Sequence, residues 1–177
     1  MRCILAIVSL VAFAVLISFG VLLLGVYDVS ATKPHSRPVV WAAELMLEHS
    51  VERRASEEPA PNLDKPGLMG HGYEHYKEMC EVCHAGPGVR RSEISWGLHP
   101  EPPNFADEPM EWNEQELFWI TQHGLKSAGM PAFGPTHTYD QLWAIVAFVG
   151  SLPEMSRQEY LELGQAPDES PDNGHEH

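Results

Sequence analysis

Cysteine is scarce in this sequence, with three among 177 residues. Cys80 and Cys83 lie close together and leave Cys3 alone, so no framework of internal disulfide bonds is available. Basic residues are also few, since 11 lysines and arginines stand against 25 aspartates and glutamates. The formal net charge of −14 disfavours nucleic acid and anionic lipid as partners. The length allows one domain plus appendages.

The segment Cys80-Glu81-Val82-Cys83-His84 places a histidine directly after two cysteines that are separated by two residues. This spacing is typical of c-type haem attachment, in which each thiol bonds one porphyrin vinyl group and the histidine binds the iron. A redox-active cysteine pair needs a βαβ context, and a zinc site needs a second pair of ligands. The chain shows neither. The motif therefore predicts one covalently attached haem c, held by Cys80 and Cys83, with His84 as an axial ligand.

The N-terminus contains 23 residues without a charge, from Ile4 to Val26. A helix of this length spans about 34 Å, which is enough to cross a bilayer. A secretory signal cleaved after Ala31 is the alternative, but the apolar part of a signal usually runs about 7–15 residues. We therefore expect an uncleaved single-pass anchor at residues 1–27. Because covalent haem attachment takes place outside the bacterial inner membrane, the remaining chain is expected in the periplasm.

Composition divides the rest of the chain into three further segments. Residues 28–66 are predicted to be a linker with a short amphipathic helix, residues 67–164 the haem domain, and residues 165–177 a disordered acidic tail. The linker helix, at Trp41–Arg54, either lies on the membrane surface by its Trp41 end or packs on the haem domain. The sequence leaves that choice open.

Periodicity predicts an all-α haem domain. Helical spacing of apolar and small residues runs from Gly72 into the attachment motif, so the first helix continues to Cys83. Three later helices are predicted from capping-box patterns, at Asn113-x-x-Glu116, Thr138-x-x-Gln141 and Ser156-x-x-Glu159. The second of these is apolar around most of its circumference and must be deeply packed.

The proline-rich stretch between His84 and Trp112 has little periodicity, and a loop of that length needs a functional reason. We expect its apolar residues to pack against the porphyrin edge; the candidates are Ile94, Trp96, Leu98 and Phe105. Pro87 and Gly88 either turn the chain so that a carbonyl accepts the ring N–H of His84, or form a plain turn.

The second iron ligand has six downstream candidates: Met110, Met130, Met155, His99, His123 and His137. The neighbours of Met130 favour it, because Gly129 allows a close approach to the haem and Pro131 stiffens the loop. Met130 also follows His84 by 46 residues and lies between two predicted helices, so its loop can cover the far haem face. A lone methionine is normally core filler, and histidine ligation is the main competitor.

Together, the attachment motif, the loop Gly129–Pro131 and the terminal helix with Leu142-Trp143 and Phe148-Val149 resemble class I monohaem cytochromes c. The sequence is similar in particular to short bacterial cytochrome c domains that are also found as subunits of terminal oxidases. The resemblance covers about Gly67–Leu152. It implies three or more helices around the haem, with the first and last crossing near Gly72, Tyr76 and Trp143. It also implies electron transfer.

The leading hypothesis is a membrane-tethered periplasmic electron carrier of the respiratory chain that performs no bond chemistry and is not an enzyme. Without residues 1–26 the chain has 10 basic against 25 acidic residues, a formal −15, which favours redox partners with a basic docking face. One alternative is an electron-transfer subunit of a larger oxidase or dehydrogenase complex. Another is an open-site haem enzyme or gas sensor.

Overall fold

In the computed structural model, residues 2–55, 60–126 and 128–165 are described, and their regular elements are all helical. This confirms the predicted all-α class. The chain divides into two units, Met1–Lys33 and Pro34–His177. The predicted disordered tail lies outside the described residues except for Gln165, as do residues 56–59 of the predicted linker.

The first unit contains helix α1, Arg2–Leu23. By length and composition α1 is able to cross a membrane, with a mean hydropathy of 2.8 over its most apolar window and no buried residue. A 22-residue helix is about 33 Å long, close to the thickness of a bilayer core. Its large apolar side chains are exposed within this unit, so they need an apolar environment from elsewhere.

The second unit holds the remaining helices in chain order. They are α2 Arg37–Glu52, α3 Leu68–His75, a π-helical turn Tyr76–Cys80, α4 Glu81–His84, α5 Glu93–Trp96, α6 Glu114–His123, α7 Tyr139–Ser151, a 3₁₀ turn Leu152–Glu154 and α8 Arg157–Leu163. The first predicted helix is thus a continuous run from α3 through α4, and the attachment motif occupies its last part.

The last three helices begin with the predicted capping boxes. In each, the cap side chain accepts the backbone N–H three residues on, and the side chain at that position accepts the N–H of the cap residue. The pairs are Asn113 with Glu116, Thr138 with Gln141, and Ser156 with Glu159. A capping box is a pattern within four consecutive residues, which is why the sequence alone predicted where each of these helices begins.

Helix α7 is the centre of the core, with seven buried residues. Helix α3 crosses it so closely that a Cβ on Gly72 would lie 2.2 Å from the carbonyl oxygen of Ala144. Beside this contact Tyr76 packs on Phe148, with ring centroids 5.2 Å apart. The expected crossing at Gly72 and Tyr76 is therefore confirmed. The indole of Trp143 instead faces α6, where it stacks on Phe118 with ring centroids 4.5 Å apart.

Helix α2 packs on the predicted haem domain near its C-terminal end. Val51, near its C-terminus, is fully buried, and α2 contacts α6. The other end projects, and Trp41 is 65% exposed. The sequence left open whether this helix lies on the membrane or packs on the domain, and the structure shows that its C-terminal end packs on the domain.

Candidate haem-binding site

An apolar cleft of about 270 Å³ opens between the attachment segment, the loop after Pro103, and helices α6 and α7. This volume lies just below the usual range for ligand pockets, roughly 300–1,000 Å³. The attachment segment contributes Tyr76, Cys80 and His84 to its lining, and Met130 lines it as well. The cleft thus contacts three of the site residues predicted from the sequence at Cys80, Cys83, His84 and Met130.

The helix that carries the attachment motif changes geometry immediately before it. The π-helical turn Tyr76–Cys80 joins two α-helical segments, a feature that occurs frequently at functional sites. The buried hydroxyl of Tyr76 donates a hydrogen bond of 2.8 Å to the carbonyl oxygen of Ala85. Burial, the largest cause, raises the pKa of Tyr76, so this hydroxyl stays a donor. One side chain from before the motif therefore anchors the residue that follows it.

The two cysteines are free thiols in a setting that does not suit redox catalysis. Burial, together with the nearby Cys83, raises the pKa of Cys80 to about 12, whereas a reactive cysteine has a lowered pKa. Across residues 2–55, 60–126 and 128–165, no three histidine, cysteine, aspartate or glutamate side chains cluster as metal ligands. Both alternatives to haem attachment, a redox pair and a zinc site, lose support here.

The backbone around Cys83 accepts hydrogen bonds from two serines at the start of α5. The hydroxyl of Ser95 donates to the carbonyl oxygen of Cys83 at 2.9 Å, and that of Ser92 donates to the carbonyl of Val82. Ser95 is fully buried. Helix α5 and its N-cap residue Ser92 therefore satisfy carbonyl groups at the C-terminal end of the attachment helix, where no further turn exists to bond them.

The ring of His84 is held by a carbonyl group that the sequence did not identify. Its Nδ1 lies 2.9 Å from the carbonyl oxygen of Pro103. A carbonyl only accepts, so Nδ1 carries the proton and donates, and the lone pair of the neutral ring is on Nε2. Pro87 and Gly88 thus do not supply the acceptor; they lie in a turn closed by a bond of 2.9 Å from Val89 N–H to Gly86 oxygen.

Several groups set the protonation of His84. Burial is the largest cause and lowers the pKa of His84; the hydrogen bond to Pro103 raises it, and the positive charge of Arg91 lowers it. The net pKa is below the ordinary value, so the imidazole is neutral at neutral pH, which is the form that binds a metal. Phe105 stacks on the ring with centroids 4.6 Å apart and fixes its plane.

The loop that carries Met130 is tied to the end of α6. Leu125 N–H donates to the carbonyl oxygen of Met130 at 3.0 Å, and Phe133 N–H donates to the carbonyl of Thr121 at 3.1 Å. Gly129 has a φ of 71°, which an L side chain rarely adopts, so glycine is required at this turn. The backbone on both sides of Met130 is therefore fixed before any ligand binds.

Among the six candidates for the second ligand, Met110 and Met130 line the cleft, whereas Met155 and the three histidines are not among its lining residues. Met110 also packs against both hydrophobic clusters of the core. Of the residues expected to contact the porphyrin edge, only Phe105 lines the cleft; Ile94 and Trp96 are each 60% exposed. Their proline-rich loop instead places its polar backbone near His84.

The residues that surround the cleft fit a haem. The free thiol of Cys80 in the cleft wall, that of Cys83 three residues further along the same helix, a neutral imidazole with an available Nε2 lone pair, and a thioether on a fixed loop are the donors that a covalent haem uses. The cleft walls are mainly apolar and suit a porphyrin. Sequence reasoning missed Pro103 and Arg91, and neither has a local pattern that distinguishes it from its neighbours.

Residues 67–149 match the family model described as "Cytochrome C oxidase, cbb3-type, subunit III". The matched segment is a little less than half of the chain and contains all four predicted site residues. No curated protein matches the chain.

Proposed function

We propose that the protein is a membrane-tethered carrier of single electrons between respiratory partners. The family match supports a c-type cytochrome family similar to oxidase cytochrome c domains, and with it haem-based electron transfer. Cys80 and Cys83 hold one haem c covalently, and His84 and Met130 are the axial ligands. The observation that carries the proposal is that one apolar cleft is lined by Cys80, His84 and Met130 together.

In this proposal the haem supplies a one-electron couple at its iron, and the protein supplies position and environment. Pro103 and Phe105 orient the His84 ring, and the hydrogen-bonded loop presents the Met130 thioether. Histidine with methionine raises the reduction potential of a haem, and filling both axial positions excludes small molecules. The chain is therefore a carrier and not an enzyme.

Helix α1 anchors the chain in the bacterial inner membrane by a single pass, and the haem domain lies in the periplasm. Length, hydropathy and exposure of α1 support the anchor, and the site of covalent haem attachment supports the periplasmic side. A tether raises the effective concentration of the haem near membrane oxidases. The acidic remainder of the chain favours partners with a basic docking face.

A second candidate is an electron-transfer subunit of a larger oxidase complex. It is favoured by the description of the matched family, which is itself a subunit of a cbb3-type oxidase. Gentle solubilisation of native membranes followed by native electrophoresis with haem staining separates the two candidates. A band at the size of the chain alone supports the free carrier, and a band in a larger assembly with oxidase activity supports the subunit.

The axial ligand is tested on the haem-loaded full chain in detergent. The oxidised protein should show the weak near-red charge-transfer band of an iron–thioether bond, and Met130→Ala should abolish it. Met110→Ala is the matched control, because Met110 lines the same cleft, and it should keep the band. The opposite pattern would make Met110 the ligand. An unmutated protein that lacks the band and binds carbon monoxide when reduced would support the open-site alternative.

A further inference from the structure

Arg91 forms a fork of hydrogen bonds with the loop opposite His84. Its Nη1 donates to Oε1 of Glu101 and, at 3.0 Å, to the carbonyl oxygen of Pro102. Its Nη2 donates to Oε1 of Glu108 at 3.0 Å. The Arg91 side chain is 23% exposed, whereas those of Glu101 and Glu108 are 58% and 48% exposed, so the fork lies at the edge of the protein with partial access to solvent.

These contacts lie on both sides of Pro103, the residue whose carbonyl accepts the His84 ring N–H. Glu101 and Pro102 precede it. Glu108 follows it and also accepts the backbone N–H of Asn104 at 3.2 Å. A planar guanidinium reaches two such acceptor groups at once in a fixed geometry, which a lysine ammonium does not. Arg91 therefore fixes the loop immediately before and after the one carbonyl that orients the axial histidine.

We propose that Arg91 is a positioning residue for His84, acting through the loop Glu101–Glu108 to hold the Pro103 carbonyl against the imidazole. The inference rests on the proposed function, since it assumes that His84 binds the haem iron. Arg91 lies outside the attachment motif and is seven residues beyond His84. Its role follows from the non-local contacts and not from any sequence pattern.

The physical consequence is a change in the donor strength of the ligand. A hydrogen bond from Nδ1 to a carbonyl makes the imidazole more basic, and a more basic ligand stabilises the oxidised iron. If the carbonyl is no longer held, this bond weakens. The oxidised form then loses stability relative to the reduced form, and the reduction potential rises.

The test is Arg91→Lys in the haem-loaded full chain, because it keeps the positive charge and removes the fork. We expect the Nδ1 proton of His84 to exchange with solvent about tenfold faster or more, as followed by proton NMR of the reduced protein. We also expect the potential to rise. A tenfold change in the redox equilibrium would be about 59 mV. Glu108→Gln should accelerate the same exchange, since it removes the other half of the fork.

Arg90→Lys is the matched control, since Arg90 is the exposed neighbour with the same charge, and it should leave both quantities unchanged. Equal exchange rates and potentials in Arg91→Lys and Arg90→Lys would overturn the proposal. The haem spectrum separates this failure from that of the proposed function: unmutated protein without a covalent haem or without His84 ligation refutes the function itself. Arg91→Gln, which also removes the charge, should exchange at least as fast as Arg91→Lys.

Discussion

Replacing Gly72 by alanine should separate the two helices that form the core behind the cleft. A Cβ at this position would lie 2.2 Å from the carbonyl oxygen and 2.9 Å from the carbonyl carbon of Ala144, and 2.6 Å from Cβ of Phe148. None of these atoms is at the end of a flexible side chain. Ordinary van der Waals contact begins at about 3.4 Å, so α3 must move away from α7 by roughly 1 Å.

The magnitude follows from two opposing effects. Overpacking in a well-packed core costs about 1–3 kcal/mol, and we take the upper end because backbone atoms block the methyl group. Alanine improves the helix propensity of α3 by about 1 kcal/mol relative to glycine. The net loss in the free energy of unfolding is therefore about 2 kcal/mol, which for a domain of this size is a fall in Tm of about 10 °C.

The assay is guanidinium unfolding of the haem-loaded full chain in detergent, followed by tryptophan fluorescence. Gly70→Ala is the matched control, since Gly70 lies in the same helix and nothing is within 4 Å of its Cβ. The control should gain up to about 1 kcal/mol, so the two variants should shift in opposite directions. If Gly72→Ala were as stable as Gly70→Ala, the close crossing of α3 and α7 would be wrong.

Two other substitutions test contacts outside the crossing of α3 and α7. Tyr160 of α8 donates to Glu81 at 2.6 Å, so Tyr160→Phe should lower the free energy of unfolding by about 1–2 kcal/mol. Burial, the largest cause, and the bond to Glu81 raise the pKa of Tyr160, so its hydroxyl stays protonated in this pH range. The loss of unfolding free energy should therefore be the same at about pH 6 and pH 9, and a loss that disappears at pH 9 would refute the hydrogen bond. Gly124 has a φ of 63°, and its Cβ would lie 2.6 Å from the carbonyl carbon of Pro131. Gly124→Ala should therefore displace the Met130 loop and weaken the near-red band of the oxidised protein, and an unchanged band would show that the loop tolerates the shift.

The parts of the fold that sequence reasoning predicted depend on neighbours along the chain. Capping boxes involve residues three apart, and the starts at Asn113, Thr138 and Ser156 were correct for that reason. The apolar circumference of α7 likewise predicted its burial. The attachment motif is equally local, because chemistry fixes the spacing of two thiols and a histidine.

What sequence reasoning left open depends on residues that are distant in sequence. Pro103 is 19 residues from His84, and its carbonyl is indistinguishable in sequence from those of Pro87 and the other prolines of the loop. Ile94 and Trp96 are each 60% exposed and lie outside the cleft lining, and no local pattern distinguishes them from Phe105, which lines the cleft. The position of Val51 against the domain also has no local signal, since a short amphipathic helix serves a membrane or a core equally well.

The sequence by itself determined the helical class, a candidate membrane helix, and a haem attachment motif, because each of these follows from composition or from spacing within a few residues. Only the tertiary structure decided which carbonyl holds His84, that Arg91 braces the loop around it, and which methionines reach the cleft. Such contacts are selected by the free energy of the whole packed core, in which backbone carbonyls of many residues compete for one donor, and no local pattern records the outcome.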